Sequence, residues 1–326
     1  MSLVSDSEIA HAAAILRAGR LVAFPTETVY GLGADASSPT ALGRMFAAKG
    51  RPSDHPVIVH LRTGEDLTRW SRDIPAVARR LADHFWPGPL TLVLRRAAGV
   101  LDAVTGGQET VGLRTPAHPI AQRLLQAFGG GIAAPSANRF GRISPTTAQH
   151  VRDELGDAVD MVLDGGACEV GIESTIVDLS TGAPVLLRPG RIGAAEIETV
   201  AGQPVLSATS ASPRASGTLA AHYAPKIPLV LAKSSGLARL VREARGPVAV
   251  LARHLQPADS RVALWHVAAA DAQTYAHDLY AILRSLERSG CALIVVEAPP
   301  EAAEWDGVRD RLTRAAAGSG SGPDGA

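Results

Sequence analysis

Three observations predict an α/β protein of two domains. At 326 residues the chain is longer than one hydrophobic core usually supports. Short β-rich runs alternate with helical segments over its first part and again near its end. Between these regions, from Ser207 to Ala224, the composition shifts to Ser, Ala, Gly and Pro, as in an interdomain linker. Hydrophobic residues make up 46% of the chain but aromatics only 4%, so its cores must be built from Ala, Val, Leu and Ile, which suits buried strands.

In chain order, strands are predicted at Leu21–Phe24, Pro56–Leu61, Leu90–Leu94, Thr110–Arg114, Gly131–Ala134, Asp160–Leu163, Ser174–Leu179 and Val185–Leu187. Many are continuous apolar runs, the mark of strands buried on both faces. Helices are predicted at Asp6–Ala18, Ile74–Phe85, Pro119–Phe128 and Thr146–Leu155. Another begins at Ser38, which can cap, with Pro39 in the first turn and Gly50 as its stop. That helix places Lys49 at its exit. Phe24–Gly33, rich in hydroxyls and glycine and carrying Glu27, reads as a pocket-lining loop between a strand and that helix. After the linker, strands at Leu229–Leu231, Val248–Leu251, Val262–Trp265 and Ala292–Val296 alternate with helices at Leu237–Ala244 and Ala272–Arg288, a βαβ pattern for a small parallel sheet. The glycine- and serine-rich end, residues 318–326, is expected to be disordered.

Composition excludes several function classes. Lys plus Arg and Asp plus Glu are both 32, so no whole-surface basic field favours nucleic acid or anionic membrane. Cys168 and Cys291 form no CxxC pair, and the ten histidines show no metal-ligand spacing, so no metal site is expected. The N-terminus has no leader pattern and no apolar run reaches membrane-span length, so a cytoplasmic protein is expected. There is no P-loop. Gly31-Leu32-Gly33-Ala34-Asp35-Ala36 matches a permissive dinucleotide fingerprint, but its glycines do not open a helix directly after the predicted strand.

What remains is a distributed anion site. Lys49 and Arg51 flank a helix end; Arg114 and Arg188 end strands; Ser136, Asn138, Arg142 and Ser144 follow another strand. Arg and Lys so placed offer forked and point-charge donors to polyphosphate and carboxylate. Each segment taken alone also reads as a solvated basic turn or a hydrogen-bonded loop.

Together the segments FPTETVYGLG at 24–33, KGRP at 49–52, PVIVH at 56–60, WPGPLTLVL at 86–94, VGLRTPAHP at 111–119, APSAN at 134–138, SPTTA at 144–148, DGG at 164–166, GIESTIVDL at 171–179 and LLRPG at 186–190 resemble the threonylcarbamoyl-AMP synthase family, in its long two-domain form. SGTLAAHYAPK at 216–226 resembles the long form's linker. The resemblance implies a YrdC-like twisted mixed sheet around a cationic cavity over 1–206, a linker over 207–225 that contributes to the active site, and a smaller Rossmann-like α/β domain over 226–317. It implies catalytic roles for Lys49 and Arg51. Thr26, His60, Arg114, Ala134 and Ser174 would hold L-threonine. Lys49, Ser53, Thr110, Ser136, Asn138, Ser144, Arg188 and linker Tyr223 would contact ATP. The substrates implied are L-threonine, bicarbonate and ATP with Mg2+. The product would serve threonylcarbamoyladenosine formation at tRNA position 37, through a downstream transferase and with at most weak contact to tRNA. Two other classes compete: an RNA-binding module without catalysis, disfavoured by the neutral charge, and a carbamoyltransferase using carbamoyl phosphate, disfavoured by the missing accessory segments.

Overall fold

The computed structural model describes residues 4–254 and 261–320, and contacts divide them into two compact units. The first comprises residues 4–140 and 145–218; the second comprises 141–144 and 219–320.

The first unit runs α1 (Asp6–Arg17), β1 (Val22–Phe24), β2 (Gly31–Asp35), α2 (Pro39–Lys49), β3 (Ile58–His60), α3 (Ala76–Phe85), β4 (Leu90–Arg95), α4 (Asp102–Thr105), β5 (Thr110–Arg114), α5 (Pro119–Phe128), β6 (Ile132–Ala133), α6 (Ala148–Leu155), β7 (Met161–Val162), β8 (Thr175–Asp178), β9 (Val185–Arg188), α7 (Ala194–Ala201) and β10 (Leu206–Ser207). Its strands form one mixed sheet in the order β10-β9-β8-β4-β5-β3-β6-β2-β1-β7. The helix caps follow from sequence: Ser38 Oγ accepts the Ala41 amide at the start of α2, and Gly50, with φ 61°, ends it in the left-handed conformation.

Two apolar layers hold this sheet. Leu32, Leu42, Met45, Phe46, Leu81, Leu92 and Leu113 belong to one; Ile9, Leu16, Phe24, Leu124, Leu125 and Ile132 from α1, β1, α5 and β6 form another. Over β4, β8 and β9 a small third group, Val93, Ile176 and Leu187, is joined by Ala215 from the extended chain after β10. A cleft opens on that face, lined among others by Ile58, Thr91, Thr110, Gly112 and Ser216.

One expected element is corrected. Residues 24–33 are not simply a loop leading to a helix, because Gly31–Asp35 forms β2, antiparallel to β1 and β6. Glycine composition hid the strand. A Cβ on Gly33 would stand 2.9 Å from the Phe24 ring and 3.0 Å from Val22 O, so the tight packing of β1 on β2 admits only hydrogen there.

The second unit contains β11 (Leu229–Ala232), α8 (Ser234–Glu243), β12 (Val248–Ala252), β13 (Val262–Val267), α9 (Ala272–Glu287), β14 (Leu293–Glu297) and α10 (Asp306–Gly318). Its sheet is wholly parallel, in the order β11-β14-β12-β13. β12 is buried at every position, which explains its unbroken apolar run. Gly318 closes α10, and the Ser319 hydroxyl accepts the Leu229 amide at 2.8 Å; the rest of the tail expected to be disordered, 321–326, lies outside the described residues.

Candidate active site

The loop between β1 and β2 folds around a hydroxyl. Thr26 Oγ1 accepts the amides of Thr28 and Val29, both at 3.2 Å, and donates to Val29 O at 2.6 Å. This turn presents Glu27 and Thr28 inward, and both are buried. β2 then braces the loop after β6. Gly31 bridges Ser136, Leu32 N donates to Pro135 O at 2.7 Å, and Ala137 N donates to Tyr30 O at 2.8 Å.

β3 and β5 run parallel with His60 opposite Arg114. Arg114 is buried at the end of β5: Nη1 donates to Thr28 Oγ1 at 2.9 Å and Nε to Gly88 O at 3.3 Å. Its Nη2 lies 2.7 Å from Glu27 Oε1. That contact is an ion pair rather than a directed hydrogen bond, since neither Nη2 nor Oε1 has an aligned partner. His60 is 3% exposed, with Nδ1 unpartnered and the ring edge-on to Phe24 at 6.1 Å. Burial first, and then the Arg114 charge, lower its pKa to about 3, so the imidazole stays neutral. Ala134 sits beside this pair, its amide bonded to Ile58 O at 3.0 Å.

A second cluster meets the cleft through Thr91 and Ser216. Ser174 Oγ pairs with Thr91 Oγ1 at 2.8 Å, and Arg188 reaches Ser174 O and Oγ through Nη2 at 2.9 and 3.2 Å. Arg188 Nη1 also donates to Ser216 O at 2.8 Å. Arg51 Nη2 donates to Pro56 O at 2.7 Å and meets Ser216 Oγ at 3.5 Å, while its guanidinium lies 5.8 Å from the Phe140 ring centroid. Both arginines thus touch the same linker serine.

Lys49, 2% exposed, donates to Ser136 O and, at 2.5 Å, to Asn138 O. Burial first, and then the Arg51 charge, hold its pKa well below the usual lysine range. The KGRP and PSAN segments are therefore one structural piece, joined also by Phe140 N to Lys49 O at 2.8 Å.

Twelve of the fourteen residues expected at the site lie in the first unit. Thr26, His60, Arg114 and Ala134 gather around one subsite, and Lys49, Ser136 and Asn138 around another. Arg51, Ser174 and Arg188 share the group that meets the cleft through Thr91 and Ser216, and half-buried Thr110 also lines that cleft. Ser53 is exposed in the turn after α2. Ser144 and Tyr223 belong to the second unit, where both are buried. There Tyr223, at φ 59°, packs under Arg311 and beside Tyr280. Sequence reasoning missed Glu27, Thr28, Thr91 and Ser216 as contacts of these side chains. Glu27 and Thr28 stood inside a motif already singled out, but only the β1–β2 turn shows that they face Arg114. Among the described residues, no group of three or more His, Cys, Asp or Glu could hold a metal ion, and no helix is long and apolar enough to cross a membrane.

Comparison with known proteins agrees with this architecture. A family model described as "Telomere recombination" matches residues 14–190, and one described as "Threonylcarbamoyl-AMP synthase, C-terminal domain" matches residues 192–317. The threonylcarbamoyl-AMP synthase of Pyrococcus abyssi is 39% identical, over 96% of this chain and 95% of its own. This chain belongs to the threonylcarbamoyl-AMP synthase family. The family member from Bacillus subtilis is also 39% identical, over 96% of this chain and 94% of its own. A crystal structure of Pyrococcus abyssi Sua5 complexed with L-threonine superposes with a TM-score of 0.90 at 37% identity, covering 97% of this chain and 96% of that one. The resemblance read from the ordered motifs, and the mixed sheet followed by a small parallel one, are both borne out.

Proposed function

We propose that this chain is an L-threonylcarbamoyladenylate synthase, converting L-threonine, bicarbonate and ATP to threonylcarbamoyl-AMP and pyrophosphate. The observation that carries the reading is the buried Arg114 guanidinium on the strand beside His60, whose buried Nδ1 has no hydrogen-bond partner. Buried polar groups are ordinarily satisfied, so an unpaired imidazole nitrogen beside a buried guanidinium suits a small polar substrate, and Lys49, Arg51 and Arg188 in the same unit suit a polyphosphate.

In this reading the threonine carboxylate meets Arg114, neutral His60 offers a hydrogen bond, and Thr26, Ala134 and Ser174 border the substrate. The amine combines with bicarbonate to give a carbamate, with loss of water. A carbamate oxygen then attacks the α-phosphorus of ATP, and the bond to the bridging oxygen of pyrophosphate breaks. No protein nucleophile is needed: alignment and charge stabilisation by Lys49, Arg51 and Arg188 lower the barrier. Thr110, Ser136, Asn138 and Ser53 are assigned to ATP, as are Ser144 and Tyr223. ATP would enter as its magnesium complex, the ion offsetting phosphate charge and needing few protein ligands. The product is consumed in the cytoplasm by a transferase that modifies tRNA at position 37.

The test is pyrophosphate release by the purified chain with each substrate omitted in turn. Release that needs both threonine and bicarbonate is expected. Release with carbamoyl phosphate in their place, or salt-sensitive RNA binding with no release at all, would overturn the reading.

A further inference from the structure

The guanidinium of Arg114 is held by more than the site residues the family motif points to. Arginine carries five N–H donors in a fixed plane. One, on Nε, is spent on Gly88 O, and one, on Nη1, on Thr28 Oγ1. Glu27 takes no aligned N–H, yet its Oε1 stands 2.7 Å from Nη2, with both side chains almost wholly buried. Glu27 is itself fixed at three points. Its Oε2 accepts the Ala117 amide at 3.0 Å, its carbonyl accepts the Val170 amide at 2.8 Å, and it sits in the turn wound about Thr26. Three donors of Arg114, one on Nη1 and two on Nη2, make no aligned hydrogen bond; Glu27 Oε1 stands against Nη2, and the donors turned away from it are the ones a carboxylate could take.

We infer that Glu27 is the positioning residue of the amino-acid subsite: it locks the Arg114 guanidinium in place and balances its buried charge, so that the subsite selects a zwitterionic α-amino acid. The inference rests on the proposed reaction, because it takes Arg114 as the receptor of the threonine carboxylate. The physical reason is charge accounting. A lone buried guanidinium would bind any small anion and would draw water or counter-ions in the empty state, whereas a neutral pair leaves the site neutral before and after a zwitterion enters. Glu27 acts through Arg114 and need not touch the reacting atoms.

The test is direct binding of L-threonine by calorimetry together with steady-state kinetics of the full chain. Glu27→Gln keeps the shape and removes the charge. It should weaken threonine binding and raise the threonine KM by about tenfold or more, with kcat and the ATP KM within about threefold of wild type. Its discrimination against a simple carboxylic acid lacking the amine, tested as an inhibitor, should fall by a similar factor. Glu27→Asp restores the charge one methylene short and should recover part of the affinity; it also serves as the measured variant if the glutamine form does not fold. Unchanged threonine affinity in the folded variant, or equal losses for threonine and ATP, would overturn the inference alone. A wild-type chain that binds no threonine would overturn the underlying reading with it.

Discussion

The two units bury charge in different ways. In the second, buried cations are spent on the protein itself. Arg311, 0% exposed, pairs with Asp310 at 2.7 Å and lies over the Tyr223 ring, and Arg284 donates to Ile143 O at 2.5 Å. At the end of β14, Glu297 takes up the Arg253 amide, its guanidinium and the Ser234 hydroxyl. In the first unit Lys49, Arg51, Arg114 and Arg188 are also buried; Lys49 donates to the carbonyls of Ser136 and Asn138, Arg51 to Pro56 O and Arg188 to Ser174 O, while Arg114 lies against Glu27. Charge neutralised within the fold stabilises; charge parked on neutral acceptors is better suited to receive an anionic substrate. The contrast teaches where stability and activity should part.

The contrast can be broken by substitution. Arg311→Ala empties a wholly buried site packed on Tyr223 and removes one partner of Asp310, which keeps Arg314 at 2.8 Å, so it should destabilise the chain by about 2–4 kcal/mol, read as a lower denaturant midpoint. Lys49→Ala should lower threonine-dependent pyrophosphate release by about a hundredfold or more while far-ultraviolet circular dichroism stays native; near-wild-type turnover would end its assignment to the phosphates. If instead Lys49→Ala proved as destabilising as Arg311→Ala, the two units would not differ as described.

Two further measurements sharpen the comparison through protons. His60 in the native state has a pKa of about 3, below its unfolded value near 6.5. Between those values the unfolded chain binds the extra proton, so its contribution, a few kcal/mol at most, is complete above about pH 6.5 and is lost as the pH falls toward 3. His60→Gln should flatten that part of the stability profile, seen in urea titrations across the range. Lys49, whose pKa burial and the Arg51 charge hold well below the usual lysine range, should bind its proton more tightly once polyphosphate arrives. Calorimetric enthalpies of ATP binding would then vary with the ionisation enthalpy of the buffer, and an identical enthalpy in all buffers would count against the assignment. The smallest effect belongs to Ser216→Ala, which removes a hydroxyl between Pro56 O and Arg51 and should cost about 1 kcal/mol of stability.

Much of the architecture was legible before any coordinates. Thr110–Arg114 and Pro119–Phe128 fall where periodicity, Pro and Gly place them, and β12 of the parallel sheet is apolar because both its faces are covered. β2 was not legible, because Gly33 is there for the Phe24 ring and the Val22 carbonyl, partners that local pattern does not display. The same limit governed the site. Lys49, Arg51, Arg114 and Arg188 could be picked out as cations at element ends, since chain ends of strands and helices are local features.

The sequence by itself determined the two-unit α/β plan, the element ends on which the cations sit and, through its ordered motifs, the family. Only the tertiary structure decided that Glu27 faces Arg114, that Thr91 supports Ser174 and that Ser216 meets both Arg51 and Arg188. Those partners lie 87, 83, 165 and 28 residues apart in the chain. Such contacts arise from sheet order and turn geometry, and no periodicity in the chain encodes which buried carboxylate will stand against which buried cation.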